Sequence, residues 1–466
     1  SELIKIPSKN FKKEKTMNKQ KIYIETYGCQ MNLADTEIVQ GVLKRNGYEF
    51  TNNAEQADVV LINTCAIREH AEERIYGRLG AFRAIKKYKP NLVVGILGCM
   101  AERLRTKLIE EEKIVDLIVG PDEYRRVPEL IDNALIGEKG IAVRLSKTET
   151  YDDIEPYRED GISAWIAVMR GCDKFCTFCV VPFTRGRERS RPLQSIVNEV
   201  KLLSERGFKE VNLLGQNVNS YRDGDYDFAD LLSAVAKVDS TMRVRFVTSH
   251  PQDFSDKLIY TIAEYENICN YIHLPIQSGS NRILKLMNRT YTVEHYLERI
   301  EKARQIIHGV SLSTDIIAGF PTETEEDHKM TLDVLREVRY DGAFMFKYSA
   351  RERTKAYEMG DDVPDEVKTR RLNEIIELQQ KISYEINQTL IGKKFEVLIE
   401  DYSKKSNDFY MGRTDTNKIV ILPKDGLKIG DYCLATISRA NSATLFADKA
   451  TKIEKQFSNI SSYAKN

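Results

Sequence analysis

The sequence predicts an α/β chain of three modules: an N-terminal open parallel α/β sheet, a central partial (β/α)6 barrel and a C-terminal small β-barrel. Three observations predict it. At 466 residues the chain exceeds what one core organises, and roughly 150 residues per domain gives about three domains. Short β-branched runs alternate with helical stretches from Lys21 to about Gln388, the rhythm of parallel sheets. After residue 391 the pattern changes to short alternating strands punctuated by Gly, Asn, Asp and Lys.

Residues 1–20, with six lysines, two glutamates and no apolar periodicity, read as a solvated tail. The domain at 21–141 follows from "KIYIETYG", a helix over 33–46, "ADVVLINTC", a helix over 71–87, "NLVVGILGC" and "VDLIVG". Cys29, Cys65 and Cys99 each stand just past a predicted strand, preceded by Gly28, Thr64 and Gly98. Open α/β sheets gather ligands at the carboxyl ends of their strands, so three cysteines remote in sequence are expected in one crevice.

The charged stretch 142–160 has no helical repeat and predicts a linker. The barrel is expected over 161–388, from "AWIAVMRGC", "EVNLLGQNV", "RVRFVTSH", "YIHLPIQ", "VSLSTDIIAGF" and "GAFMFKYSA", with polar residues past each strand at its upper mouth. "DEVKTRRLNEIIELQQKISYEINQ" has apolar residues at three and four spacing and predicts an amphipathic helix packed on it. The β module is expected over 391–455, before a second tail at 456–466. Residues 391–466 hold thirteen Lys and Arg against nine Asp and Glu. Tyr402, Phe409 and Tyr410 beside Lys404, Lys405 and Arg413 suit stacking and phosphate contacts with RNA.

Seventy basic and seventy acidic residues cancel, so any nucleic-acid surface is a local patch. No apolar run reaches a membrane span and no apolar signal core opens the chain, which predicts a cytoplasmic protein without a membrane partner; a monomer is expected. In a reducing compartment, eight cysteines point to metal or redox chemistry rather than disulfides. Cys269 and Cys433, alone in apolar patterns, read as buried small hydrophobes.

"RGCDKFCTFC" places Cys172, Cys176 and Cys179 on one loop with no histidine near. Structural zinc wants four protein ligands. A [4Fe-4S] cluster held by three thiolates leaves one iron open to a substrate or cosubstrate, so the spacing favours the cluster.

The C-x3-C-x2-C loop, with Phe178 before its last cysteine, resembles the signature of the radical S-adenosylmethionine (SAM) superfamily. "ETYGCQMNLADTE", "INTCAIREHAEER", "GCMAER", "RGCDKFCTFCVVPFTRGRERSR", "LLGQNVNSY", "HLPIQSGS", "LKLMNRTYT", "DIIAGFPTETEED" and "FKYSARERTKA" are similar to the methylthiotransferase family, in its MiaB-type tRNA branch. The resemblance spans about 21–455 and implies an N-terminal methylthiotransferase domain, a radical SAM barrel and a TRAM domain. It implies two [4Fe-4S] clusters: one on Cys172, Cys176 and Cys179 that binds SAM, and an auxiliary one on Cys29, Cys65 and Cys99. The implied substrate is a tRNA whose adenosine 37 bears N6-isopentenyl, converted to 2-methylthio at C2, with an electron donor and a sulfur donor as further partners.

That aromatic C–H is not acidic, so no acid or base side chain is expected to be catalytic; the cofactor carries the hard chemistry. Expected SAM contacts are Phe178, Gly215, Gln277, Gly319 and Glu323. Expected substrate contacts are Arg185 and Arg187 in the arginine run that continues to Arg189 and Arg191, Asn217, Asn219 and His273, with Lys404 and Lys405 on the β module. The sequence departs from the family pattern at Arg353, where glycine is common, and at His328, where an aromatic is commoner. Three alternatives stand beside it: methylthiolation of a ribosomal-protein aspartate, as in the RimO-like branch; methylthiolation of threonylcarbamoyladenosine in tRNA; and a zinc or iron-sulfur RNA-binding protein without catalysis.

Overall fold

The computed structural model describes residues 20–65 and 69–455. The tails expected at 1–20 and 456–466 lie outside the described residues, Gln20 apart.

The first domain contains β1 (Lys21–Thr26), α1 (Gln30–Arg45), β2 (Val59–Thr64), α2 (Glu69–Tyr88), β3 (Val93–Gly98), α3 (Cys99–Leu104), β4 (Leu117–Val119), α4 (Val127–Leu135) and β5 (Gly140–Ala142). They form one parallel sheet in the order β1-β2-β3-β4-β5, with the two-residue strand Glu49–Phe50 outside β1. Central strands of a parallel sheet are covered on both faces, which is why "VVLINT" and "VVGILG" are apolar almost throughout. Val59 and Leu61 enter the core beneath α1 and α4, while Val60 and Ile62 enter the one beneath α2.

The expected linker is a packed strap. Tyr151 and Ile154 are buried in the first domain's core, the Tyr151 hydroxyl donating to the Pro121 carbonyl at 3.0 Å. Arg158 then joins both domains, bonding Glu37 at 2.5 Å and Glu199 at 2.7 Å.

The central domain has six parallel strands: β6 (Ser163–Ala167), β7 (Glu210–Leu214), β8 (Arg243–Val247), β9 (Tyr271–His273), β10 (Ser311–Ala318) and β11 (Gly342–Lys347). They pair as β8-β7-β6 and β9-β10-β11, the two halves meeting through a parallel bridge between Val244 and Ile268. Between them run α5 (Val181–Arg185), α6 (Leu193–Glu205), α7 (Phe228–Ala236), α8 (Asp256–Glu264), α9 (Val293–Ile306) and α10 (Glu325–Val338), and α11 (Asp365–Gln388) follows β11. Ile166, Leu213, Phe246, Ile272, Ile316 and Met345 pack outward among the helices. Alternation then turns Trp165, Asn212, Arg245, His273, Asp315 and Phe344 into the lumen.

The last domain is a closed five-stranded barrel in the order β12 (Lys394–Ser403), β13 (Ser406–Thr414), β14 (Ile419–Pro423), β16 (Thr444–Ile453) and β15 (Tyr432–Ala440). It sits under the N-terminal ends of the central strands. Tyr432 donates to the Lys209 and Thr241 carbonyls, just ahead of β7 and β8. Buried Arg243 and Arg245 reach down to the carbonyls of Glu396, Arg413, Thr414 and Asp415. The lower end of the large barrel is thereby closed, leaving its C-terminal mouth for chemistry.

Candidate active site

Close backbone approach builds the first group of cysteines. Gly28 has φ +142°, and a Cβ there would lie 2.6 Å from the Cys65 Cβ. Gly98, at φ +91°, would put its Cβ 2.5 Å from the Thr64 carbonyl oxygen. Only glycine lets the turns after β1, β2 and β3 stack this tightly. Buried Asn32 fixes them: its Oδ1 accepts from the Cys29 amide and thiol at 3.3 Å, and its Nδ2 donates to Asn63 and to the Thr64 carbonyl. A hydrogen bond with Cys65 holds the Cys29 thiol well below the usual range against the opposing effect of burial, with Arg185 assisting. Burial pushes Cys99 up.

The second group lies past β6. Gly171, at φ +78°, brings the chain so close to the Arg187 carbonyl that a Cβ would stand 2.0 Å from it. The loop is laced to the segment after the helix Asn281–Leu286: Thr177 donates to the Leu286 and Met287 carbonyls, and Asn288 donates to those of Lys174 and Phe175. Arg289 donates to the Cys176 sulfur at 3.3 Å. Burial raises the Cys172 and Cys179 thiols to about 12.

Both groups meet at the barrel mouth. Cys99 packs on Val180, the residue after Cys179, where α3 lies against α5. Cys29, Met31 and Ala34 pack on Ala167, Leu214 and Val247, at the upper ends of β6, β7 and β8. Charge pairs lock the domains here: buried Asp35 binds Arg170 at 2.5 Å and Arg185 at 2.8 Å, and Asp122 binds Arg189 at 2.7 Å.

Several expected contacts have other partners. Arg185 is buried on Asp35, Arg189 on Asp122 and Arg191 on Glu199, so these arginines join elements and do not present themselves to phosphate. Of that run only Arg187 is exposed, beside Asp173. Asn219 is a backbone clip: its Nδ2 donates to the His250 carbonyl and its Oδ1 accepts from the His250 amide. Glu323 Oε1 accepts from the Gly319 amide and from Arg371, holding the turn after β10. Gly319 is required at φ +72°, where a Cβ would overlap the Lys368 side chain.

Phe178 packs against the buried cluster that includes Phe320 and Met287, beside the cysteine loop. Gly215 lies against Met169, and Gln277, at φ +73°, extends the sheet through its bridge to Ile316. Asn217 Nδ2 donates to Asp253, but its Oδ1 is buried with no partner. His273 faces the lumen, bonded to Ser313 at 2.8 Å and edge-on to Phe344. Lys404 and Lys405 are exposed in the β12–β13 turn near exposed Tyr402 and Phe409.

Three family models match in the same order as the domains: uncharacterized protein family UPF0004 over 21–120, the Radical SAM superfamily over 166–335 and the TRAM domain over 388–450. A tRNA-2-methylthio-N(6)-dimethylallyladenosine synthase from Chloroherpeton thalassium is 55% identical, covering 92% of this chain and 96% of the relative. One of the same name from Azobacteroides pseudotrichonymphae is 53% identical, over 92% and 97%. This chain belongs to the tRNA-2-methylthio-N6-dimethylallyladenosine synthase family. As a radical SAM methylthiotransferase it uses SAM and a [4Fe-4S] cluster. Among solved structures, the radical SAM methyltransferase TsrM from Kitasatospora setae, with cobalamin and [4Fe-4S] cluster bound, superposes with a TM-score of 0.55 at 16% identity, over 73% of this chain and 77% of that one. That likeness concerns the fold alone.

Thiols are the donor type that holds a [4Fe-4S] cluster. Each thiol of a cubane site binds a different iron, so the sulfurs stand apart by the width of the cluster. Among the described residues no three Cys, His, Asp or Glu side chains close on one point as ligands of a single ion would. The six cysteines carry free thiols at the mouth. Among the described residues no helix is long and apolar enough to cross a membrane.

Sequence reasoning overlooked three features of the synthase site. Asp35 gave a faint signal, an acid among the mostly apolar residues that α1 buries. Arg289, two residues beyond "LKLM", became visible only when the loop folded onto it. Phe344 and Phe346 are 55% and 46% exposed although they belong to a strand, because their faces line the open lumen.

Proposed function

We propose that the chain transfers a methylthio group to C2 of N6-dimethylallyladenosine 37 in tRNA, using one [4Fe-4S] cluster on Cys172, Cys176 and Cys179 and an auxiliary one on Cys29, Cys65 and Cys99. The observation that carries this is the contact of Cys99 with Val180, which brings two cysteine triplets from different domains to one mouth. When bound, the clusters and SAM supply the radical and sulfur-transfer chemistry that an inert aromatic C–H requires.

The chain's own residues position and desolvate. The domain-locking pairs keep the two loops in register, and the C-terminal barrel closes the far end of the lumen. Phe344 and Phe346 offer an apolar wall for the dimethylallyl group, with Asp315 and His273 beside them for polar atoms of the base. Ile317, next to Phe346 across the sheet, packs against the same buried apolar cluster as Phe178, the residue before Cys179, which supports a wall close to the radical SAM loop. Lys404, Lys405 and Arg187 remain for tRNA phosphates. An electron donor and a sulfur donor complete the turnover.

The test is anaerobic reconstitution, then reaction with SAM, reductant and dimethylallylated tRNA, reading iron and digested nucleosides. About eight irons per chain and 2-methylthio-N6-dimethylallyladenosine are expected. SAM cleavage with this tRNA unmodified, but a threonylcarbamoyl-tRNA or a ribosomal protein modified, would overturn the substrate assignment.

A further inference from the structure

The ion cluster at the domain interface does not balance. Asp35 is the carboxylate partner of two guanidiniums, Arg170 and Arg185, and all three side chains are at most 4% exposed. Tyr124 donates a further hydrogen bond to Asp35 and brings no charge. The neighbouring Arg189–Asp122 pair is matched one to one. One positive charge is therefore left over in a buried site, where an uncompensated ion is costly. N–H groups are left over too: Arg170 Nε and Nη1 and Arg185 Nη1 are buried without a hydrogen-bond partner.

The two arginines face different neighbours. Arg170 lies over the Tyr151 ring, 4.7 Å from its centroid, which accounts for its idle face. Arg185 lies beside the first cysteine triplet: α5, which it ends, packs on α3, which begins at Cys99, and its guanidinium acts on both Cys29 and Cys99. A [4Fe-4S]2+ core with three thiolates carries one net negative charge, and a sulfur anion on the open iron adds another.

We propose that Arg185 is a positioning residue of the auxiliary cluster, its unpartnered Nη1 donating to cluster sulfur and its charge matching that of the anionic cluster. The inference rests on the assignment of that cluster to Cys29, Cys65 and Cys99. It makes the Asp35–Arg185 pair more than a domain lock: Asp35 aims the guanidinium at the cluster. A cation and an N–H donor at cluster sulfur favour the more negative, reduced state, so removing them lowers the reduction potential.

The test uses the full chain with Cys172, Cys176 and Cys179 replaced by alanine, so that only the auxiliary cluster remains. Midpoint potentials are read by redox titration followed by electron paramagnetic resonance. Arg185→Met leaves Asp35 paired with Arg170 alone, a balanced couple, so folding and iron content are expected to persist while the midpoint falls. Arg185→Lys is expected to fall less, and Arg189→Met, which breaks the other lock, to stay at the parent value. A midpoint in Arg185→Met no lower than in Arg189→Met would overturn the proposal. Should Arg185→Met lose iron, Arg185→Lys decides in its place, and an unshifted midpoint there overturns it equally. Absence of iron from the triple-alanine parent would instead overturn the auxiliary-cluster assignment, and the inference with it.

Discussion

Cys99 lies in contact with Val180, so the start of α3 in one domain touches the chain immediately beyond the last cysteine of the other. That contact depends on how tightly the turns of the first domain stack. At Gly28 a side chain would overlap the Cys65 Cβ, and its φ of +142° is unfavourable to other residues. Gly28→Ala is expected to disrupt the first triplet and spare the second. Iron after reconstitution should fall from about eight to about four per chain. Reductive cleavage of SAM should persist while methylthiolated tRNA disappears. Retention of about eight irons would argue against the stacking.

The charge pairs of Asp35 predict a pH signature. Burial alone would raise its carboxyl, but Arg170 and Arg185 outweigh burial and hold it below the usual carboxylate range. A carboxylate with a lower pKa folded than unfolded contributes fully above the unfolded value, about 3.9, and loses that contribution as pH falls toward the folded value. Asp35→Asn leaves two buried guanidiniums without their anion and should cost about 3–5 kcal/mol near neutral pH. In denaturant titrations the gap between the two proteins should be flat from about pH 5 to 8 and close below about pH 4.

The sequence revealed more of the ligands than of what aims them. Strand ends and cysteines are local features: "VVLINTC" and "NLVVGILGC" announce both a buried strand and a thiol at its carboxyl end. The arginine run shows the limit. Read along the chain, Arg185, Arg187, Arg189 and Arg191 form one basic stretch, equally suited to phosphate or to solvent. In the fold three turn inward to acids 8 to 150 residues away and one stays out. Those acids are invisible to any local pattern. Asn219 misleads for the same reason, since its partner is the backbone of His250. Phe344 and Phe346 read as ordinary strand apolars until the barrel leaves their face uncovered.

That uncovered face makes a prediction about substrate choice. Phe346 is nearly half exposed, so Phe346→Ala removes little core and should leave thermal stability near the parent value. Loss of apolar contact with a dimethylallyl group should cost about 1–2 kcal/mol of binding, a rise in KM of roughly 5- to 30-fold with kcat less affected. Competition between dimethylallylated tRNA and the same tRNA lacking that group gives the sharper measurement: the parent's preference should shrink in the variant. An unchanged preference would remove Phe346 from the pocket.

The proposed tRNA contact of the C-terminal barrel lies away from the barrel mouth and can be tested separately from the chemistry. Buried Arg243 spans its attachment, donating to the Arg413 and Glu396 carbonyls and to the Glu396 carboxylate at 2.9 Å. Burial opposes the charge of Lys455, which bonds the same carboxylate, and lowers its pKa to about 8. Arg243→Ala should therefore loosen the module, seen as proteolytic cleavage between α11 and β12, because the truncation leaves buried acceptors unpaired at several kcal/mol. Lys404 and Lys405 lie in an exposed turn of that module, outside its core. Their double alanine variant should fold normally and bind tRNA more weakly at low salt. Its plot of log affinity against log salt should be shallower by roughly 1, since fewer counterions are released. If Arg243→Ala and the lysine variant lower tRNA affinity alike, but only the lysine variant flattens the salt dependence, the clamp acts by holding the module and the lysines by meeting phosphate.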